Sequence, residues 1–158
     1  MKIDPYKHKE KYLAWKEKVK NGIPEISRQN SDMILRYISD MENGLNVSSK
    51  SIKGPRSYIR LNNLKQRLTF LAKHIKQYCG VNLVDISEDQ VIKYFNAMRN
   101  GTIKRLDGKC YQSVVDFVKP FKAFWHWYIK VSKKKGVEVR DITEDLDVSN
   151  PKPRWVYL

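Results

Sequence analysis

Apolar side chains recur along this chain at spacings of three and four, the period of helices, while strand-like alternation is scarce. The first segment predicted to be helical runs Pro5–Lys20, with proline at its start and Asn21-Gly22 as its stop. Its apolar content is thin. Leu13 stands beside Tyr12 and Trp15, with Val19 near the end, so this helix is expected to dock weakly. The second spans about Ser31–Asn43, with Met33, Ile34, Tyr37, Ile38 and Met41 on one face and Gly44 as the stop. "LNVSSKSIKGPR" follows as a polar loop.

The third helix is predicted over Ser57–Cys79, capped by Gly80, with Leu61, Leu64, Leu68, Leu71, Ile75 and Cys79 on one face. The fourth opens on "SEDQ", where Ser87 and Gln90 form the reciprocal pair of a capping box. Val91, Ile92, Phe95 and Met98 face inward, and Asn100-Gly101 closes it. "TIKRLDGKCY" predicts a tight turn or small hairpin around Asp107-Gly108. The fifth and longest helix is expected over Tyr111–Lys134, before Gly136. The tail, with Pro151 and Pro153, reads as a linker that has left the domain. The expected class is therefore all-α. A domain over 45–136 follows an N-terminal helical extension, 1–44, and precedes a linker, 137–158.

Charge adds a partner to this outline. Lys and Arg number 31 against 17 acids, a formal net charge of +14 over 158 residues. Such an excess favours a polyanion. No apolar run approaches the ~18 residues of a membrane span, and the N-terminus lacks a signal-peptide core. Two cysteines make no disulfide framework. A cytoplasmic chain with no membrane partner, metal or cofactor is expected.

The cations are also placed unevenly. From Asn43 to Val84 there is no acid, and the window holds Lys50, Lys53, Arg56, Arg60, Lys65, Arg67, Lys73 and Lys76. Solvated helices usually mix signs, so this stretch points to phosphates. In the fifth helix, Phe117, Phe121, Phe124, Tyr128 and Val131 fall within about 80° on the helical wheel, a core stripe. Lys119, Lys122, His126, Lys130 and Lys133 cluster opposite, and Trp125 and Trp127 flank the stripe. Pro120 cannot bond the Asp116 carbonyl, which predicts a mild kink. Asn62, Gln66 and Gln112 are the candidate base-edge readers, as polar residues on outward faces. Lys50, Lys53, Arg56, Arg60, Lys73, Lys119, Lys122 and Lys130 are the leading phosphate contacts. No G-x-S-x-G, glycine-rich phosphate loop or H-E-x-x-H is present, so this chain alone is not expected to be an enzyme.

"SYIRLNNLKQRLTFLAKHI", then "ISEDQVIKYFNAMRNG", then "SVVDFVKPFKAFWHWY" resembles the core-binding domain of tyrosine recombinases, the phage-integrase family, and most of all its archaeal type. The tail "DITEDL…KPRWVYL" looks like the connector to that family's catalytic domain. The resemblance covers about Gly44–Leu158. It implies a compact orthogonal bundle of four to five helices, called SAM-like, that forms half of a clamp on double-stranded DNA and works with other recombinase protomers. Its first and last long helices would cross the major groove. Lys122 falls where the family usually has Arg or Lys, and Ser113 where it often has Thr. Phe124, Trp125 and Trp127 fit the closing aromatic motif. Asp116 departs from a commonly basic position, Leu64 from a common Tyr, and residues 1–43 lie outside the usual domain.

The family's catalytic set is two Arg, a Lys, a His-x-x-Arg box and a Tyr nucleophile. It is not found here, and no histidine is followed three residues later by Arg. Tyr157 stands in the connector and is not that nucleophile. The resemblance therefore implies a binding and positioning fragment of a DNA breaking-and-rejoining enzyme. The rival from the residues themselves is a helical protein-interaction module that recognises an acidic partner, kept open by Ile59 and Phe70. RNA is a second rival.

Overall fold

The computed structural model describes residues 6–47 and 54–148. Five helices and one single-turn 3-10 helix make up its regular structure, with no strand among the described residues. The helices are α1 (His8–Lys18), α2 (Arg28–Asn43), α3 (Tyr58–Cys79), α4 (Glu88–Arg99) and α5 (Val115–Lys134). The short turn, Leu83–Asp85, joins α3 to α4.

Local chemistry accounts for most of the boundaries. Ser27, Ser57 and Ser87 each accept a bond from the backbone N–H three residues on, which satisfies one of the free donors at a helix start. At α4 the capping box is complete: the Gln90 amide oxygen accepts from the Ser87 N–H at 3.0 Å and the Ser87 hydroxyl from the Gln90 N–H at 3.1 Å. Gly44 and Gly80 end α2 and α3 in the left-handed conformation that glycine adopts without cost.

α3 is the hub, packed on α1, α2, α4 and α5, and α5 supplies much of the core. Phe121, Phe124 and Val131 are buried as the wheel predicts, but so are Val118, Trp125 and Trp127, so the buried arc is wider than the predicted stripe. Phe117 and Tyr128 are only half-buried. α3 presents Leu61, Leu64, Leu68, Leu71 and Ile75 to this core, and α2 adds Ile34, Tyr37, Ile38 and Met41. Rings lock the centre: Tyr37 meets Phe124 and Trp127 edge-on at 5.5 and 5.3 Å, and Phe95 meets Phe121 at 5.9 Å. Pro120 is buried inside a continuous α5.

Four expectations change. α1 begins at His8, and its anchor is Tyr12, fully buried, while Leu13 is exposed. The Tyr12 hydroxyl donates to Glu42 at 2.9 Å, and Lys16 reaches the same carboxylate at 3.0 Å. α2 starts at Arg28, because Ser27 rather than a later residue caps it. α5 starts at Val115 rather than Tyr111, since Tyr111 turns away to pack on Phe70 and Phe117. Finally, 137–148 does not leave the domain. Ile142, Thr143 and Leu146 are buried, the Trp125 indole donates to the Arg140 carbonyl at 2.9 Å, and Arg99 donates to the Asp147 carbonyl at 2.5 Å. The segment is a strap across α4 and α5.

Candidate nucleic-acid interface

The start of α3 is held against the end of α2 by a contact only glycine permits. A Cβ on Gly44 would lie 2.6 Å from the Gly54 carbonyl carbon, and Gly44 has φ +69°. The Arg56 N–H then donates to the Met41 carbonyl at 2.9 Å. This neck aims Arg56 and Arg60 across at the middle of α5.

There they share a cleft of about 340 Å³ with His126, and Tyr37, Asn46 and Trp127 line it too. The two cationic stretches singled out in the sequence thus meet in space. Tyr37 is almost wholly buried, and burial pushes its hydroxyl up to about 12, while the nearby Arg60 and Arg56 charges pull the other way. It stays neutral. Behind the wall, the Trp127 indole and the Asn46 amide both donate to one Asp40 oxygen, at 2.7 and 2.9 Å.

From this cleft the row continues along α5. Lys122 stands one turn before His126 and Lys119 nearly one turn before that. Lys119 is exposed and Lys122 half-buried, and among the described residues neither pairs with an acid. Lys133 is exposed as well. Lys130 is half-buried and donates to the Val47 carbonyl at 2.8 Å, so one of its three donors serves the fold. Lys134 bonds Asn46 in the same manner.

Several candidates turn out to have structural partners. The Asn62 amide donates to the His8 carbonyl at 3.0 Å, and its Oδ1 is buried with no partner among the described residues, so α1 covers it and it is no outward base reader. Lys73 forms an ion pair with Glu25 at 2.5 Å, so the acid-free window is not acid-free in three dimensions. That contact holds the Glu25 carboxyl below its usual range. His126 meets Asp141 of the strap at 3.1 Å, with the Thr143 hydroxyl at 3.4 Å. Burial opposes ionisation of Asp141, but hydrogen bonds from the Thr143 side chain and backbone, with His126 nearby, hold its carboxyl below the ordinary value.

Gln66 is exposed on α3, and Gln112 is exposed in the segment ahead of α5 rather than on the helix. Lys50 and Lys53 lie outside the described residues. Two further cations of the window cover rings: the Lys65 ammonium is 5.0 Å from the Trp15 centroid, and the Arg67 guanidinium 4.7 Å from that of Phe117. Sequence reasoning missed Tyr37, Asn46 and Trp127 as cleft walls. Only the flank position of Trp127 on the wheel hinted at its part.

Among the described residues no group of His, Cys, Asp and Glu is placed to hold a metal ion, and no helix is long and apolar enough to cross a membrane. No family model, curated protein or solved structure matches the chain.

Proposed function

We propose that this chain is a duplex-DNA-binding helical module, acting in the cytoplasm as the gripping half of a tyrosine recombinase whose catalytic residues lie elsewhere. The observation that carries the reading is the cleft in which Arg56 and Arg60 of one cationic stretch meet His126 of the other, continued along α5 by Lys122 and Lys119. A row of cations on a helical bundle matches the spaced phosphates of a backbone. The aromatics of α5 are mostly buried, so the helix that carries the lysine row offers little flat ring surface for splayed bases, which favours duplex over single-stranded RNA. The whole recombinase would break and rejoin DNA through a phosphotyrosine, with this module supplying affinity and register.

The test is fluorescence anisotropy with duplex DNA at several salt concentrations. Affinity should fall with a log–log slope of about −0.9 per phosphate contacted. Lys119→Ala with Lys122→Ala should weaken binding and reduce the slope without altering the helical circular-dichroism signal. Binding that is indifferent to salt would sink the reading.

The protein-interaction reading retains one observation: Ile59, at the start of α3, is 54% exposed beside a half-exposed Tyr58. Phe70 no longer supports it, since it packs on His74 and Phe117 at 4.8 and 5.0 Å.

A further inference from the structure

The turn between α4 and α5 ends in an unexpected residue. Leu106 is fully exposed at 110%. Turn apices are ordinarily Gly, Pro, Asn, Asp or Ser, each for a conformational reason that leucine does not satisfy. Nor does the turn need it. Arg105 and Lys109 bond across the neck at 2.9 Å, the Gly108 N–H donates to the Arg105 carbonyl at 2.9 Å, and Asp107 accepts from the Lys109 N–H at 3.0 Å. Gly108 supplies the positive φ, +79°, that closes the loop.

The turn is also fixed at its base. Ile103 is buried and its N–H donates to the Ala97 carbonyl at 3.0 Å. On the other side Tyr111 packs on Phe117 at 5.8 Å. Leu106 is therefore a rigid apolar knob, one side chain wide.

Its surroundings favour a polyanion. Lys104 and Lys109 flank the knob and are exposed, and the turn's own acid, Asp107, is paired with Arg105 at 3.3 Å. The turn precedes α5 and Lys119 in the chain, and Tyr111 at its base seats it beside Phe70 of α3 and Phe117 of α5. An apolar tip between cations fits the minor groove of DNA, about 6 Å wide, where such wedges part a base step and bend the duplex.

We propose that Leu106 is a wedge that enters the minor groove and opens one base step at the edge of the bound site. This rests on the DNA-binding reading above and adds a distortion to it. Lys104 and Lys109 bracket the entry by contacting the phosphates on either side. Steps of the TA type, which unstack most easily, would take it best.

The experiment uses the full chain and a duplex that carries TA steps, a fluorescent adenine analogue at those steps and a donor–acceptor dye pair at its ends. Wild-type protein should raise both the analogue's emission and the end-to-end energy transfer. Leu106→Ala should lose both signals and about tenfold in affinity, while the salt slope stays the same. Leu106→Phe should keep them. Leu106 touches no core, so these variants fold as the wild type does.

If the wild type binds with its salt slope while the duplex stays stacked and straight, the wedge is wrong and the DNA reading stands. If no duplex binds, both fall. If Leu106→Ala instead abolishes self-association in sedimentation and leaves the DNA signals unchanged, the knob joins two copies of the chain and the wedge is overturned.

Discussion

Trp127 and Asp40, 87 residues apart, are joined by an indole hydrogen bond of 2.7 Å that ties α5 to α2 behind the cationic cleft. The same carboxylate oxygen takes the Asn46 amide. One acid therefore sets the position of α5 and of the loop that borders the cleft. Trp127→Phe keeps one six-membered ring and removes the pyrrole with its donor. It should cost at least about 1.5–3 kcal/mol in denaturant unfolding, the usual worth of a bond to a charged group, with the cavity left by the pyrrole adding to it. A loss below 0.5 kcal/mol, on the order of a neutral surface change, would mean that solvent replaces the indole freely.

Gly44→Ala meets two obstacles at once, a left-handed φ and the Gly54 backbone at 2.6 Å. The expected loss is about 3 kcal/mol. Because this neck also aims Arg56, DNA affinity of the folded fraction should fall as well. A variant that melts and binds like the wild type would show that the two strands of the neck can part without consequence.

Stability should depend on pH through His74. It sits among Phe70, Tyr78, Tyr94 and Tyr111, with Nδ1 against the Tyr94 hydroxyl. Burial pushes its pKa below the ordinary 6.5. Between the folded and unfolded values the unfolded chain binds the extra proton, so stability rises with pH in that window. The contribution is complete above about pH 6.5 and is lost as pH falls towards the folded value. Thermal melts from pH 8 to pH 5 should show this decline, and His74→Phe should flatten it while lowering stability at pH 8, where Tyr94 loses its partner.

Glu25→Gln should release Lys73 from its ion pair. Both side chains lie at the surface, so the melting temperature should barely move. If Lys73 then meets a phosphate, duplex affinity rises and the salt slope steepens by about 0.9. An unchanged slope would place Lys73 off the DNA path.

What could be read from the sequence follows the range of the forces involved. α3 and α4 were legible because their caps and apolar periods lie within a few residues: Ser57 to Gly80, Ser87 to Gln90. The all-helical class followed from the same local signals. The start of α5 was not legible, since Tyr111 leaves the helical path for Phe70, a partner 41 positions earlier. The strap was missed because Ile142 and Leu146 are too few to establish a period; only the crevice they fill explains them. The candidate site was legible as two charged stretches and not as a cleft. Spacing along the chain reveals a cation row, but whether an acid comes home to it, as Glu25 does to Lys73 and Asp141 to His126, depends on pairs 48 and 15 residues apart.

The abutment of Gly44 on Gly54 has a consequence for how this protein can change. The fold closes the chain at those two glycines, and just after the first of them Val47 is buried and Asn46 and Val47 bond Asp40, Lys134 and Lys130. Closing a longer loop costs only about 0.6 kcal/mol per doubling of its length. Insertions placed after Val47 are therefore expected to leave the neck, the cap at Ser57 and the aim of Arg56 as they are. What must be kept is the pair of glycines together with Asn46 and Val47, which border the cleft.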